Sequence, residues 1–160
     1  MRPRGFTLIE VMVVLVILAI TATAVTFSIQ GMQSRDTEHE IQRLRLVLEA
    51  AGERAAVQGT PIAAEFLPGR YRFSALDSEG HWRPIGNGDT LAERQLPDGV
   101  VWEGLTVEGR PPANDPPLVF GAEMPRFELR LRSPDGEHRY RSLPDGSVRL
   151  DRIETTEPHA

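Results

Sequence analysis

The feature that most constrains this 160-residue chain is a long apolar stretch near its amino terminus. Residues 11–34 contain no charged side chain, and residues 11–29 are strongly apolar. A helix needs about 20 consecutive apolar residues to cross a bilayer, so the stretch is long enough. Arg2 and Arg4 precede it, which predicts a cytoplasmic amino terminus with the remainder of the chain outside. A secretory signal peptide has the same order, and residues 22–24 (Ala-Thr-Ala) form a small-x-small cleavage site.

Two observations argue against an ordinary signal peptide. Glu10 lies just inside the apolar stretch, where an ionised carboxylate is costly and therefore usually functional. The helical pattern also continues well beyond the stretch, because no proline occurs between Pro3 and Pro61. Apolar residues then recur at alternating spacings of three and four, which places them on one face of a helix: Ile41, Leu44, Leu48, Ala51 and Ala55. The sequence predicts one helix from about Phe6 to Val57, whose second half is amphipathic.

From Pro61 onward the pattern is typical of short strands separated by Pro-Gly and Asp-Gly turns. The predicted strands cover residues 61–66, 70–75, 100–107, 118–120, 127–132, 138–143 and 148–153. Trp102 is predicted to be a core anchor, and residues 109–117 form a proline-rich exposed loop. The predicted fold class is α+β, with a long helix packed on a small antiparallel β-sandwich-like domain of about seven to eight strands.

The leader carries a family resemblance. Residues Gly5 to Glu10 (GFTLIE) resemble the class III signal of type IV pilins and of the pseudopilins of type II secretion. The resemblance implies that a prepilin peptidase cleaves between Gly5 and Phe6 and then N-methylates Phe6. It also implies that Thr7 and Glu10 serve subunit assembly.

Elementary electrostatics gives Glu10 a partner that agrees with this resemblance. A free α-amino group has a reference pKa of about 7.7–8.0 and is largely cationic at neutral pH. In a filament of parallel, staggered helices, the Glu10 carboxylate of one subunit can meet the Phe6 amine of its neighbour. Removing one member of such a buried pair typically costs about 3–5 kcal/mol, so the pair would set the register of assembly.

Within this family the chain resembles the H-type minor pseudopilin of type II secretion systems. The likeness rests on residues 48–66 (LEAAGERAAVQGTPIAAEF), 69–85 (GRYRFSALDSEGHWRPI) and 91–105 (LAERQLPDGVVWEGL). It implies a structural subunit of the periplasmic pseudopilus, in the tip complex and its link to the major pseudopilin. The implied partners are the I-, J- and K-type minor pseudopilins, the major pseudopilin, the prepilin peptidase and the inner membrane. The implied location is a single inner-membrane pass with a periplasmic carboxy-terminal domain.

The domain organisation that follows has five parts. Residues 1–5 are the leader peptide, and residues 6–30 are the transmembrane and filament-core helix. Residues 31–58 are the amphipathic helix that packs on the globular domain. Residues 59–154 are the periplasmic β domain, and residues 155–160 are a frayed tail.

A binding module is the alternative hypothesis. Arginines recur at strand spacing and could line a sheet face that binds phosphate, as in a minor pilin of a type IV pilus with a DNA-binding role. The same residues could equally form a solvated outer face balanced by Glu128, Glu137 and Asp151. The net charge of −5 favours the second interpretation, so nucleic acid is not an expected partner.

The sequence predicts no catalytic residue, no metal ligand and no cofactor. The four histidines have no metal-ligand spacing and are predicted to lie on the surface. Ser133 and Ser142 lack the glycine-framed elbow of a serine nucleophile. Major pseudopilins carry a calcium loop near the carboxy terminus, where this chain has Asp145 and Asp151, but no EF-hand pattern is present. An enzyme is therefore not expected.

Overall fold

The computed structural model describes residues 8–153, with the side chains of residues 19–34 outside the description. A single helix, α1, spans Leu8–Gln58 and contains 51 residues. The described residues divide into two compact units, with the boundary between Asp36 and Thr37. Within these residues, the structure offers no helix that is both long and apolar enough to span a membrane. The predicted processing residues Gly5, Phe6 and Thr7 lie outside the described part of the chain.

In the part of the chain that the structure describes, nine strands follow α1. They are β1 (Ile62–Leu67), β2 (Arg70–Leu76), β3 (Trp82–Pro84), β4 (Arg94–Gln95), β5 (Val101–Val107), β6 (Leu118–Phe120), β7 (Phe127–Ser133), β8 (Gly136–Ser142) and β9 (Val148–Ile153). Sheet A has the order β3-β2-β1-β6, with β4 paired to β2, and sheet B has the order β5-β7-β8-β9. Every pair is antiparallel. The predicted α+β class is confirmed, and the additional strands are the short β3 and β4, which are too brief to show alternation.

The amphipathic half of α1 buries its predicted stripe. Its buried apolar residues are Ile41, Leu44, Val47, Leu48, Ala51 and Ala55. The helix ends just before Gly59, whose φ of 65° is the left-handed conformation that glycine adopts readily at helix ends. Pro61 follows and cannot continue a helix. The buried apolar residues of α1 join Phe73, Phe120 and other strand residues in one core, to which α1 and both sheets contribute.

Trp102 connects the two sheets and has the anchoring role that the sequence suggested. It lies on β5 of sheet B, and its Nε1 donates a hydrogen bond of 2.7 Å to the carbonyl of Leu67 on β1. Its ring packs edge-on against Phe66, with centroids 4.9 Å apart. The indole is partly rather than fully buried, because its polar edge reaches the backbone where β1 ends.

Two buried tyrosines attach the sheets to consecutive residues of α1. Tyr71 on sheet A donates a hydrogen bond of 2.6 Å to Oε1 of Glu40. Tyr140 on sheet B donates one of 3.1 Å to the carbonyl of Ile41. Burial is the main cause that raises the pKa of both phenols, so both remain protonated donors at neutral pH. The register of α1 on the sheets is therefore fixed at residues 40–41.

A third attachment uses Glu49, which lies outside the predicted apolar stripe of the helix. Oε1 of Glu49 accepts a hydrogen bond of 2.8 Å from the backbone amide of Val148, the first residue of β9. Arg45 holds the same oxygen at 2.8 Å. The carboxylate thus satisfies a backbone donor at the start of β9, and it is structural rather than merely solvated.

Candidate assembly site

Glu10 lies in the first turn of α1, and its side chain is exposed. It is the predicted assembly residue for which the structure gives a position. Gly5, Phe6 and Thr7, the other members of the predicted site, precede the described residues. The pairing of Glu10 with the Phe6 amine of a neighbouring subunit therefore stays a prediction.

The side chains around Glu10 form an exposed apolar surface. Large hydrophobic residues from Leu8 to Leu18 are 48–79% exposed, and they occur on every side of the helix. Contiguous apolar surface of this kind marks a site for other proteins or for a membrane. Within the described chain, residues 8–18 thus have the apolar composition of a buried helix, but their side chains are exposed, as at a surface that binds a partner or a membrane.

Several arginines of the strands are paired with carboxylates. On the outer face of sheet B, Arg139 lies 3.5 Å from Glu128, and Arg141 lies 2.5 Å from Asp151. Arg132 forms an ion pair with Glu103. On sheet A, Arg70 lies 3.4 Å from Glu93. A nucleic-acid phosphate would have to compete with these carboxylates, so the geometry favours the interpretation of balanced, solvated faces.

His138 corrects the prediction that all four histidines lie on the surface. It is 3% exposed, and its Nε2 lies 3.1 Å from Oγ of Ser133. Its position on β8 has the same parity as buried Tyr140, whereas Glu137 and Arg139 alternate with them. Burial is the main cause that lowers its pKa, opposed by the Glu38 carboxylate. Strand parity was the signal that could have placed this histidine inside.

The Ser133–His138 contact has the chemistry of a nucleophile and a base, but its surroundings are those of a turn. Oγ of Ser133 donates to the carbonyl of Gly136 at 3.2 Å and accepts from the amide of Asp135 at 3.2 Å. Ser133 is 5% exposed. These bonds close the β7–β8 turn, so the pair stabilises the hairpin.

Among the described residues, one group of side chains lies close enough to hold a metal ion, and sequence spacing did not predict it. Ligand atoms of Asp77, Glu79 and His81 all lie within 4.8 Å of one another in the turn after β2. Asp77 already accepts hydrogen bonds from the amides of Glu79 and His81 and from Arg83 at 2.8 Å. These bonds lower its pKa, with Arg83 the largest cause. The Arg83 cation already pairs with the Asp77 carboxylate whose negative charge a metal ion would need.

Asp145 and Asp151 have separate roles in the structure. Asp145 accepts hydrogen bonds from the amide and hydroxyl of Ser147 at 3.0 and 2.6 Å, which lower its pKa. Asp151 is paired with Arg141. The structure does not bring the two carboxylates together as ligands of one site.

Residues 1–26 match a family model described as the prokaryotic N-terminal methylation motif. A solved structure of the minor pseudopilin EpsH from the type 2 secretion system of Vibrio cholerae matches with a TM-score of 0.56. It covers 73% of this chain and 97% of the other, at 21% identity.

The chain has the fold of an H-type minor pseudopilin. The solution structure of Escherichia coli GspH agrees, with a TM-score of 0.54, 16% identity and coverage of 81% of this chain and 94% of the other.

Curated relatives extend the resemblance along the sequence. The type II secretion system protein H of Aeromonas hydrophila is 28% identical over an alignment of 157 positions that covers 87% of this chain and 86% of that protein. The protein of the same name from Pseudomonas aeruginosa is 28% identical over an alignment of 171 positions that covers 94% of this chain and 95% of that protein. The resemblance to H-type minor pseudopilins that the sequence indicated is confirmed.

Proposed function

We propose that this chain is a minor pseudopilin, a structural subunit of the periplasmic pseudopilus of a type II secretion system. The observation that carries the proposal is the contrast along α1. Residues 8–18 expose apolar side chains around one acid, whereas residues 37–58 belong to a closed domain with the H-type fold. A subunit that must join a filament needs both parts.

The amino-terminal part would work as a processed anchor. Cleavage after Gly5 frees the Phe6 amine, which is then methylated, and Glu10 pairs with that amine on the adjacent subunit. Residues 6–30 hold the subunit in the inner membrane until assembly and then form the filament core, while residues 59–154 stay in the periplasm. The 1.5 Å rise per helical residue makes Glu10 a fixed reference for axial stagger, so the pair sets how far one subunit is displaced from the next.

The partners of the assembled subunit are other pseudopilins. The H-type resemblance supports a position in the tip complex, with the I-, J- and K-type subunits on one side and the major pseudopilin on the other. The role is structural and not enzymatic, since the chain contributes surfaces and a register. Prepilin peptidase acts on the leader before assembly.

Replacement of Glu10 tests the function directly. Glu10→Ala should insert into membranes and be cleaved, yet fail to co-purify with the other pseudopilins, with recovery reduced roughly 100-fold or more if the pair contributes about 3–5 kcal/mol. Glu53→Ala is the matched control, because Glu53 is an exposed acid on the same helix. The readouts are leader removal by mass spectrometry, co-purification, and secretion by the host.

Two results would contradict the proposal. Normal co-assembly of Glu10→Ala would remove the pairing role. Mature-length protein from Gly5→Arg, which should retain its leader, would remove the assigned processing site.

A further inference from the structure

The outer face of sheet A carries a pocket of about 220 Å³ that the assembly role of α1 does not use. Its floor is made by Ala63 on β1 and Ser74 on β2, which are register partners across the two strands. Although both side chains point away from the core, they are only 1% and 5% exposed. Because the side chains at its floor are small, the pocket is deep, and neighbouring segments of the chain form its walls.

The walls are apolar and come from two other segments. Trp82 and Pro84 of β3 stand on one side, where Pro84 is the register partner of Ser74. Pro116, from the loop before β6, stands on another side. The indole of Trp82 is partly exposed, so an aromatic surface faces an incoming group.

The charged residues of the pocket leave an excess of negative charge. Glu65 and Arg72 are register partners and form a two-point ion pair, one contact of which joins Oε1 and Nη2 at 3.1 Å. That pair is neutral as a whole. Asp115, which is exposed and also lines the pocket, adds a second carboxylate that also acts on Arg72, and the pocket has a formal charge of −1.

We propose that this pocket receives an arginine side chain of a neighbouring subunit. A guanidinium stacks well on a tryptophan face and forms two parallel hydrogen bonds with a carboxylate, which Trp82 and Asp115 supply. The hydroxyl of Ser74 offers one more acceptor at the floor. Small-molecule sites usually measure about 300–1,000 Å³, so this smaller pocket suits one long side chain. That the arginine comes from another pseudopilin rests on the proposed function.

A binding experiment on the purified full-length chain in detergent micelles tests the pocket itself. The probe is a glycine-flanked arginine peptide, and the matched probe carries citrulline, which has the same shape without the charge. The readout is tryptophan fluorescence during titration. We expect a saturable change with the arginine peptide and binding at least about tenfold weaker with citrulline, since each 1.4 kcal/mol is tenfold in affinity.

Three variants separate the pocket from non-specific effects. Asp115→Asn should weaken the arginine peptide about tenfold, as loss of a charged hydrogen-bond partner predicts, and Trp82→Phe should abolish the fluorescence change. Glu123→Gln, which removes an exposed acid outside the pocket, should bind like the native chain. Equal binding of the two peptides, an unaffected Asp115→Asn variant or no response to arginine would each overturn the proposal.

A second readout keeps this inference apart from the proposed function. In cells, Asp115→Asn should be processed and inserted normally but recover less of one neighbouring pseudopilin than Glu123→Gln does. If Asp115→Asn co-purifies like Glu123→Gln while Glu10→Ala fails, the pocket proposal is wrong and the pseudopilin role stands. If the native chain does not co-purify with other pseudopilins while the purified chain binds the arginine peptide, the pocket stands and the proposed function is wrong.

Discussion

The two ends of α1 contain similar apolar residues and use them in opposite ways. Leu15 is 60% exposed, whereas Leu48 is 0% exposed. Around Leu48 the chain supplies its own covering from both sheets, but the apolar surface of residues 8–18 is largely exposed within the described chain. The second half of α1 therefore serves folding and the first half serves association, although local hydrophobicity alone would rank the first half as the better core helix.

The largest expected effect tests this contrast with the same substitution at the two ends. Leu48→Ala should lower the free energy of unfolding by about 2–5 kcal/mol, because it removes buried methyl groups and leaves a cavity. Leu15→Ala should leave it within about 0.5 kcal/mol, as surface substitutions usually do. Urea unfolding of both variants in detergent micelles measures the difference. Equal destabilisation by the two variants would break the comparison.

The next effect concerns the tyrosines that attach the sheets to α1. Tyr71→Phe should cost about 1.5–3 kcal/mol, because its hydroxyl donates to the charged Glu40 carboxylate. Tyr140→Phe should cost about 1 kcal/mol, because its acceptor is the neutral Ile41 carbonyl. Urea unfolding should therefore give a lower free energy of unfolding for Tyr71→Phe than for Tyr140→Phe. The reverse order would show that sheet A contributes less to holding the helix than its geometry indicates.

The smallest effect is a pH dependence from His138. Burial lowers its pKa below the ordinary value of 6.5, and the Glu38, Asp135 and Arg152 charges also act on it. Because the unfolded chain then binds a proton more readily than the folded chain, the stability from neutral His138 is fully present above pH 6.5. It is lost as the pH falls below that value and through the folded pKa.

Unfolding measured across that range checks the direction of the effect. His138→Gln should flatten the fall in stability just below pH 6.5, whereas His81→Gln should keep it, because His81 is exposed. An unchanged slope in His138→Gln would show that other groups cause the acid sensitivity.

The extent to which sequence predicted the fold can be traced to particular residues. The absence of proline from residue 4 to residue 60 and the stripe through Leu48 indicated α1, and the bounds of β6 and β9 were predicted correctly. Strands β3 and β4 were missed, since two or three residues carry no periodicity. Burial of His138 followed from its parity with Tyr140, but its polar character hid that signal.

The candidate sites also differ in whether the sequence alone could predict them. Glu10 could be identified because a charged residue within an apolar run is recognisable from the sequence alone. The pocket on sheet A combines residues from β1, β2, β3 and the loop before β6, so only the strand order brings them together. The Asp77 cluster depends on a turn that folds back on itself, and spacing rules for metal ligands do not describe it.

The tyrosine attachments at residues 40 and 41 also limit how a chain of this kind can change in length. Successive residues of an α-helix are turned by about 100°, so one inserted residue after Ile41 would rotate the core stripe away from both sheets while the tyrosines held the preceding turn. An insertion in the loop of residues 109–117 would meet no such conflict, because loops absorb length at little cost. Relatives should therefore differ in the lengths of their loops, while the helix between residue 40 and Gly59 keeps the same number of residues.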